Sequence, residues 1–205
     1  MANNVFPAFA YPIVLCGDRY DFSADELAWI DDLEMIENVG NRVSEDDRIL
    51  DSEALGALRA FIDERILLYK RELLRIPDDN EIYITQSWAN RAEPGQFHPR
   101  HRHQNSIISG VMYLDENAKG GLPPIRFHRA QELFPLDFAY DELNDFNATC
   151  KTFDPQRGML ILFPSLLEHD VEPNASETPR TSISFNTYAR GRIGGKRQLT
   201  ELDIS

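Results

Sequence analysis

The sequence predicts an α+β fold, mainly β, with helices at its N-terminal end and a β-sandwich or barrel core after them. Two observations predict this. Apolar residues recur at helical spacing as far as about Ile76, and from Glu81 onward they alternate with a period of two. The segments of that second kind are short, numerous and bounded by turn residues, as in a sheet folded over a core.

The first helix is announced by Ser23-Ala-Asp-Glu26, which has the S-x-x-E form of a capping box. Leu27, Ile30, Leu33 or Glu34, and Ile36 follow at helical intervals, and Gly40 fits a helix stop. A second helix is expected from Asp51 or Ser52 to about Leu74. Leu55, Leu58, Ile62, Ile66 and Leu73 form its buried stripe, and Arg59, Glu64, Arg71 and Glu72 face water. Ile76-Pro-Asp-Asp-Asn80 ends it, because proline and Asx residues favour turns.

In the β region, Ile82, Ile84, Gln86 and Trp88 alternate with Tyr83, Thr85 and Ser87. Further strands are expected at Ile107–Leu114, Ile125–Phe127, Met159–Phe163, His169–Val171 and Thr181–Tyr188. Gly120-Gly121 reads as a turn between strands. The stretch from Arg129 to Asp154 is long and irregular, with Phe134, Phe138, Tyr140 and Phe146 spread through it. It suits either a lid or substrate loop, or a segment that its aromatics pin down.

No internal repeat, low-complexity tract or linker interrupts the 205 residues, so a single domain is expected. Residues 1–80 would be a helical support region, 81–190 the β core with an insertion at 129–154, and 191–205 a tail. Hydrophobic residues at 42% and charged residues at 27% are ordinary for a globular chain. No apolar run approaches the roughly 20 residues needed to span a bilayer, and Met1 to Ala10 lacks the features of a signal peptide. The two cysteines, Cys16 and Cys150, read as free thiols of a reducing compartment, so a cytoplasmic location is expected. A net charge of −13 repels phosphate backbones on average, which argues against nucleic acid as a partner. Oligomeric state is not readable.

Chemistry concentrates in the histidines. Three of the five, His98, His101 and His103, fall within six positions; the others are His128 and His169. On an extended strand, residues i and i+2 share a face, so His101 and His103 can converge on one ion. Imidazole suits iron, zinc, copper and nickel alike, so the residue type does not choose the metal. Further on, a glycine turn at Gly158 feeds the apolar run Met159-Leu-Ile-Leu-Phe163. Pro164 ends that run, His169 opens the next strand, and Arg180 and Ser182 follow.

Two blocks carry a family resemblance. His101-Arg-His103-Gln-Asn105-Ser106-Ile-Ile-Ser109-Gly110-Val111-Met-Tyr113-Leu114 matches an H-x-H-x-N-S-x-x-S-G-V-x-Y-L stretch. Leu162-Phe163-Pro164-Ser165 through His169 to Val171 matches an L-F-P-S-x-x-x-H-x-V block. In both, and in their order, the chain resembles the 2-oxoglutarate and Fe(II) dioxygenase superfamily, in its prolyl-hydroxylase-related branch. The resemblance runs from about Trp88 to Tyr188.

It implies a double-stranded β-helix (a jelly roll, cupin-like) with the N-terminal helices packed on the sheet. It also implies an Fe(II) centre at His101, His103 and His169, and 2-oxoglutarate as co-substrate with dioxygen. The far carboxylate of 2-oxoglutarate needs a cation in a partly dry pocket, and Arg180 has the bidentate fork for it, with Ser182 and Tyr113 as further donors. The implied activity is hydroxylation of a C–H bond of a substrate that the sequence does not specify.

One departure stands out. The superfamily's common pattern is H-x-D with a distal histidine, and here His103 takes the aspartate position. Sliding the frame by two would make His103 the first ligand and Asn105 the third position. Glu168 and Asp170 flank His169 but point to the opposite face of an extended segment. Three histidines are therefore the expected ligands. Two rival functions remain: a three-histidine cupin-type dioxygenase that does not use 2-oxoglutarate, and a non-enzymatic jelly-roll binding module.

Overall fold

The computed structural model describes residues 10–116, 122–130, 135, 136 and 138–204. The expected turn at Gly120-Gly121, the aromatic Phe134 and most of the N-terminal start lie outside the described residues. The strands are β1 (Val14–Leu15), β2 (Met35–Glu37), β3 (Arg42–Ser44), β4 (Glu81–Ala92), β5 (His98–His101) and β6 (Ile108–Tyr113). They continue with β7 (Ile125–His128), β8 (Cys150–Phe153), β9 (Leu160–Pro164), β10 (His169–Val171), β11 (Arg180–Ile193) and β12 (Leu202–Ile204). The helices are α1 (Ala24–Asp31) and α2 (Gly56–Leu68), the second running on into a π-helical stretch at Tyr69–Leu74.

The strands form two antiparallel sheets, the jelly roll expected. The larger runs β1-β9-β6-β11-β4-β3-β2, with β12 paired to β11, and the smaller runs β5-β10-β7-β8. Strands β6 and β9 are buried on both faces, which is why they read as apolar runs without polar alternation. Val111, Tyr113, Ile161 and Phe163 point from them into the space between the sheets and meet Ile125, Phe127 and Val171 of the smaller sheet. Ile108, Met112, Leu160 and Leu162 point the other way, into a second core with the helices. Ile183 and Phe185 of β11 join that second core beside Leu58, Ile62 and Ile66 of α2. Burying each such aliphatic side chain contributes about 1.5–3 kcal/mol. The helices thus cover the outer face of the large sheet and leave its inner face to the site.

Several expectations are corrected. The capping box forms, with Ser23 accepting from the Glu26 amide and Glu26 reaching back to the Ser23 amide. However, α1 stops at Asp31, and Ile36 lies in β2. Gly40 is a hairpin residue at φ +84°, not a helix stop. The open edge of β4 decides this, because Arg42 and Val43 pair with Arg91 and Asn90 and draw the segment into the sheet. The second helix enters through two 3₁₀ turns, Ile49–Asp51 and Glu53–Leu55, with Ser52 capping the second. At its far end Tyr69 and Lys70 are buried, while Leu73 is 48% exposed. A π turn holds more residues than an α turn and so rotates the buried stripe off Leu73.

The alternation predicted for β4 also breaks. Asn186 pairs with Gln86 and Thr187 with Ile84, so Thr85 is an extra residue against β11. Beyond that bulge Ser87 and Ala89 face the helices, and Gln86 is exposed. Ser87 accepts the Leu50 amide at 2.9 Å. The first 80 residues are not purely helical, since β1, β2 and β3 all join the large sheet. β8 lies inside the 129–154 segment, and β12 brings residues 202–204 of the tail back onto β11. Cys16 and Cys150 are both free thiols. Among the described residues no helix is long and apolar enough to cross a membrane.

Candidate metal centre

Antiparallel pairing of β5 with β10 sets His101 directly opposite His169. His103 lies two residues beyond β5, where its amide donates to the Ser165 carbonyl at 2.9 Å. That bond turns the chain back over the site, so the convergence expected of an i, i+2 pair is completed by a turn and not by a regular strand. The Nε2 atoms of His101 and His103 are 3.2 Å apart. One ring nitrogen from each of His101, His103 and His169 lies within 4.8 Å of the other two.

The far side of each ring is anchored. Nδ1 of His101 meets the Pro99 carbonyl at 2.8 Å, and Nδ1 of His169 meets the Leu167 carbonyl at 2.9 Å. Nδ1 of His103 donates to Asn186 Oδ1. Oxygens of this kind only accept, so each Nδ1 carries the proton and each Nε2 presents a lone pair to the shared space. Two such lone pairs 3.2 Å apart repel unless a cation lies between them. The arrangement therefore fits a metal ion. Burial holds all three rings below the ordinary histidine range: His103 falls to about 4, and His101 and His169 are also lowered. They stay in the neutral form that a metal requires.

No carboxylate shares this cluster among the described residues. Asp170 turns away to Arg126 at 2.7 Å and His128 Nε2 at 2.8 Å, and Glu168 bonds Arg100 at 2.8 Å. Asn105 is exposed, in a left-handed turn at φ +55°, so the shifted ligand frame is not assembled.

A second cluster faces the same inter-sheet space. Arg180 opens β11 and is only 6% exposed, and its guanidinium carbon lies 5.1 Å from the centre of the Tyr113 ring. Ser182 pairs directly with Tyr113 across β11 and β6 and is also buried. Arg180 Nε and the Tyr113 hydroxyl are both buried without a hydrogen-bond partner. Burial raises the Tyr113 pKa against the pull of Arg180, so the phenol keeps its proton and remains a donor. Leaving such donors unpaired costs about 1–3 kcal/mol each, so the pocket calls for an acceptor, best an anion.

Sequence reasoning missed the orienting residues. Asn186 holds His103 and itself accepts from Ser109 Oγ at 2.8 Å. Ser165 links Ser106 and Ser109 at 2.7 and 2.8 Å. Trp88 stacks on His103 with 5.8 Å between ring centres. A signal for Asn186 existed: Arg180, Ser182, Ser184 and Asn186 alternate along one strand and share its inner face.

Residues 86–186 match the model of a family described as "Putative 2OG-Fe(II) oxygenase". The β core is similar to 2OG-Fe(II) oxygenases. Iron(II) is the family's metal and 2-oxoglutarate its co-substrate, and the histidine cluster and the orphaned donors both lie within the matched residues. No curated protein matches the chain. Solved structures show likeness of fold. HygX from Streptomyces hygroscopicus, with nickel, 2-oxoglutarate and hygromycin B bound, aligns at a TM-score of 0.60 and 12% identity, over 85% of this chain and 82% of its own. A prolyl-4-hydroxylase from Pseudomonas putida aligns at 0.53 and 21% identity, over 78% and 79% of the two chains. An oxidoreductase of the 2OG-Fe(II) oxygenase family from Burkholderia pseudomallei aligns at 0.53 and 18%, over 85% and 83%.

Proposed function

We propose that this oxygenase core holds iron(II) with His101, His103 and His169, seats 2-oxoglutarate with Arg180, Ser182 and Tyr113, and hydroxylates a C–H bond of its substrate. The reaction would consume substrate, dioxygen and 2-oxoglutarate and release hydroxylated product, succinate and carbon dioxide. Iron, when bound, supplies the activation of dioxygen; the chain supplies placement, charge and a dry cavity. The carbonyls of Pro99 and Leu167 and the amide of Asn186 hold the imidazoles with their lone pairs inward. An all-histidine set adds no negative charge, so a divalent ion would keep its full charge and favour a dianionic co-substrate.

The observation that carries this reading is the pair of buried, unpartnered donors at Arg180 Nε and Tyr113. A buried guanidinium facing the cavity calls for an anion, and the distal carboxylate of 2-oxoglutarate would satisfy it bidentately. The test is anaerobic titration of Fe(II)-loaded protein with 2-oxoglutarate, followed by its visible charge-transfer band. The band should appear in the native protein and be lost in Arg180→Ala, which keeps its iron. A native protein that holds iron yet gives no band would belong to the class that does not use 2-oxoglutarate.

A further inference from the structure

His98 and His101 are three residues apart on β5, and on a regular strand an odd spacing puts side chains on opposite faces. Here they share one. In the ladder with β10, His101 pairs with His169 and His98 with Val171, so three steps on β5 oppose two on β10. The extra residue is a β-bulge, a device that re-aims a side chain. Its outcome is a fourth imidazole inside the site. The His98 ring lies parallel to that of His101, 8° between planes and 4.3 Å between centres.

Unlike the other three, this ring is not anchored. Neither of its nitrogens has a hydrogen-bond partner among the described residues. His98 therefore stands against a ring of the metal-binding cluster with its own nitrogens uncommitted. An imidazole there offers an N–H to an acceptor, and the anion expected beside the cluster has two carboxylates.

We propose that His98 is a co-substrate-binding residue, whose free ring nitrogen donates a hydrogen bond to a carboxylate of 2-oxoglutarate held between the histidine cluster and Arg180. This rests on the function proposed above. The rival role is a buttress, in which the ring only supports His101 by stacking. His98→Phe separates the two, since it keeps an aromatic face and removes the N–H. His98→Gln does the reverse, keeping a donor and losing the face.

The experiment is equilibrium binding of 2-oxoglutarate to Ni(II)-loaded protein by calorimetry, with nickel affinity measured alongside, so that no turnover is needed. Losing one charge-assisted hydrogen bond weakens binding roughly tenfold or more. His98→Phe should show that loss with nickel affinity within about threefold of native, and His98→Gln should recover most of it. Native-like 2-oxoglutarate binding by His98→Phe would overturn the proposal and leave the proposed function standing. Loss of nickel by His98→Phe would overturn it in favour of the buttress. Failure of the nickel-loaded native protein to bind 2-oxoglutarate would overturn both.

Discussion

His103 donates from Nδ1 to Asn186 Oδ1, and this bond joins the histidine cluster to the strand that carries Arg180. Asn186 is not free to turn, because Ser109 Oγ donates to the same oxygen at 2.8 Å. One amide therefore fixes both the tautomer and the angle of the His103 ring. Partners of this kind are worth about 10–100-fold in metal affinity. Asn186→Ala should weaken nickel or iron binding by that factor with the fold intact, whereas Asn186→Asp, which keeps an acceptor, should retain most of it. Competition against a chelator of known affinity measures both. Equal affinities for Asn186→Ala and the native protein would remove Asn186 from the site.

Arg180 and Tyr113 should divide their effect unequally. Arg180→Ala removes the fork and the charge together and should weaken 2-oxoglutarate binding about a hundredfold or more. Arg180→Lys restores charge without bidentate geometry and should fall between. Tyr113→Phe removes one neutral donor and should cost about tenfold or less. All three should bind nickel as the native protein does. An order of effects with Tyr113→Phe worst would move the anion off the guanidinium.

What could be read in advance follows from the physics of each feature. A cluster able to hold a metal needs particular residue types, so His101, His103 and His169 were visible as letters. The oxygens that orient them on Pro99 and Leu167 are backbone atoms that any residue supplies, and no sequence pattern marks them. Asn186 lay between these cases, since a period-two reading of β11 places it with Arg180 but does not show that His103 reaches it. Ile36 was assigned to a helix because β2 is three residues long, too short to show a period, and its place depends on pairing through β3 to β4. The bulges opposite Asn186/Thr187 and His169/Val171 were unreadable for a related reason. A bulge is a mismatch between two strands, and a single strand read alone has no mismatch to show.

Asp170 gives a prediction in pH. Burial raises its pKa, but hydrogen bonds from Arg126 and His128 outweigh that and hold it below the ordinary aspartate value. A carboxyl more acidic in the folded state stabilises the fold above its unfolded pKa of about 3.9. That stability is lost as pH falls through the folded value. Asp170→Asn should cost about 1–3 kcal/mol at pH 7, the worth of hydrogen bonds to a charged group. The gap to the native protein should narrow as pH falls below the unfolded value and close once it passes the lower folded value, where the native carboxyl takes up its proton. Urea midpoints followed from pH 7 into the acid range measure it. A gap that stays constant across the range would mean that Asp170 contributes by packing alone.

The contact of β6 with β11 offers a test of the outer core that leaves the site untouched. A Cβ added at Gly110 would lie 2.2 Å from the Phe185 ring, and Phe185 is fully buried against the helix layer. The ring has no solvent to move into, so Gly110→Ala forces overpacking and should destabilise by about 1–3 kcal/mol. Phe185→Leu alone opens a void and should also destabilise. Together they should cost less than their sum, because the smaller side chain makes room for the methyl group. A coupling of about 0.5–3 kcal/mol of that sign in a double-mutant cycle is expected for residues in contact. Simple additivity would mean that the backbone of β6 moves instead. A parallel shift in nickel affinity would then locate that movement, because Ser109, the neighbour of Gly110, holds Asn186 and through it His103.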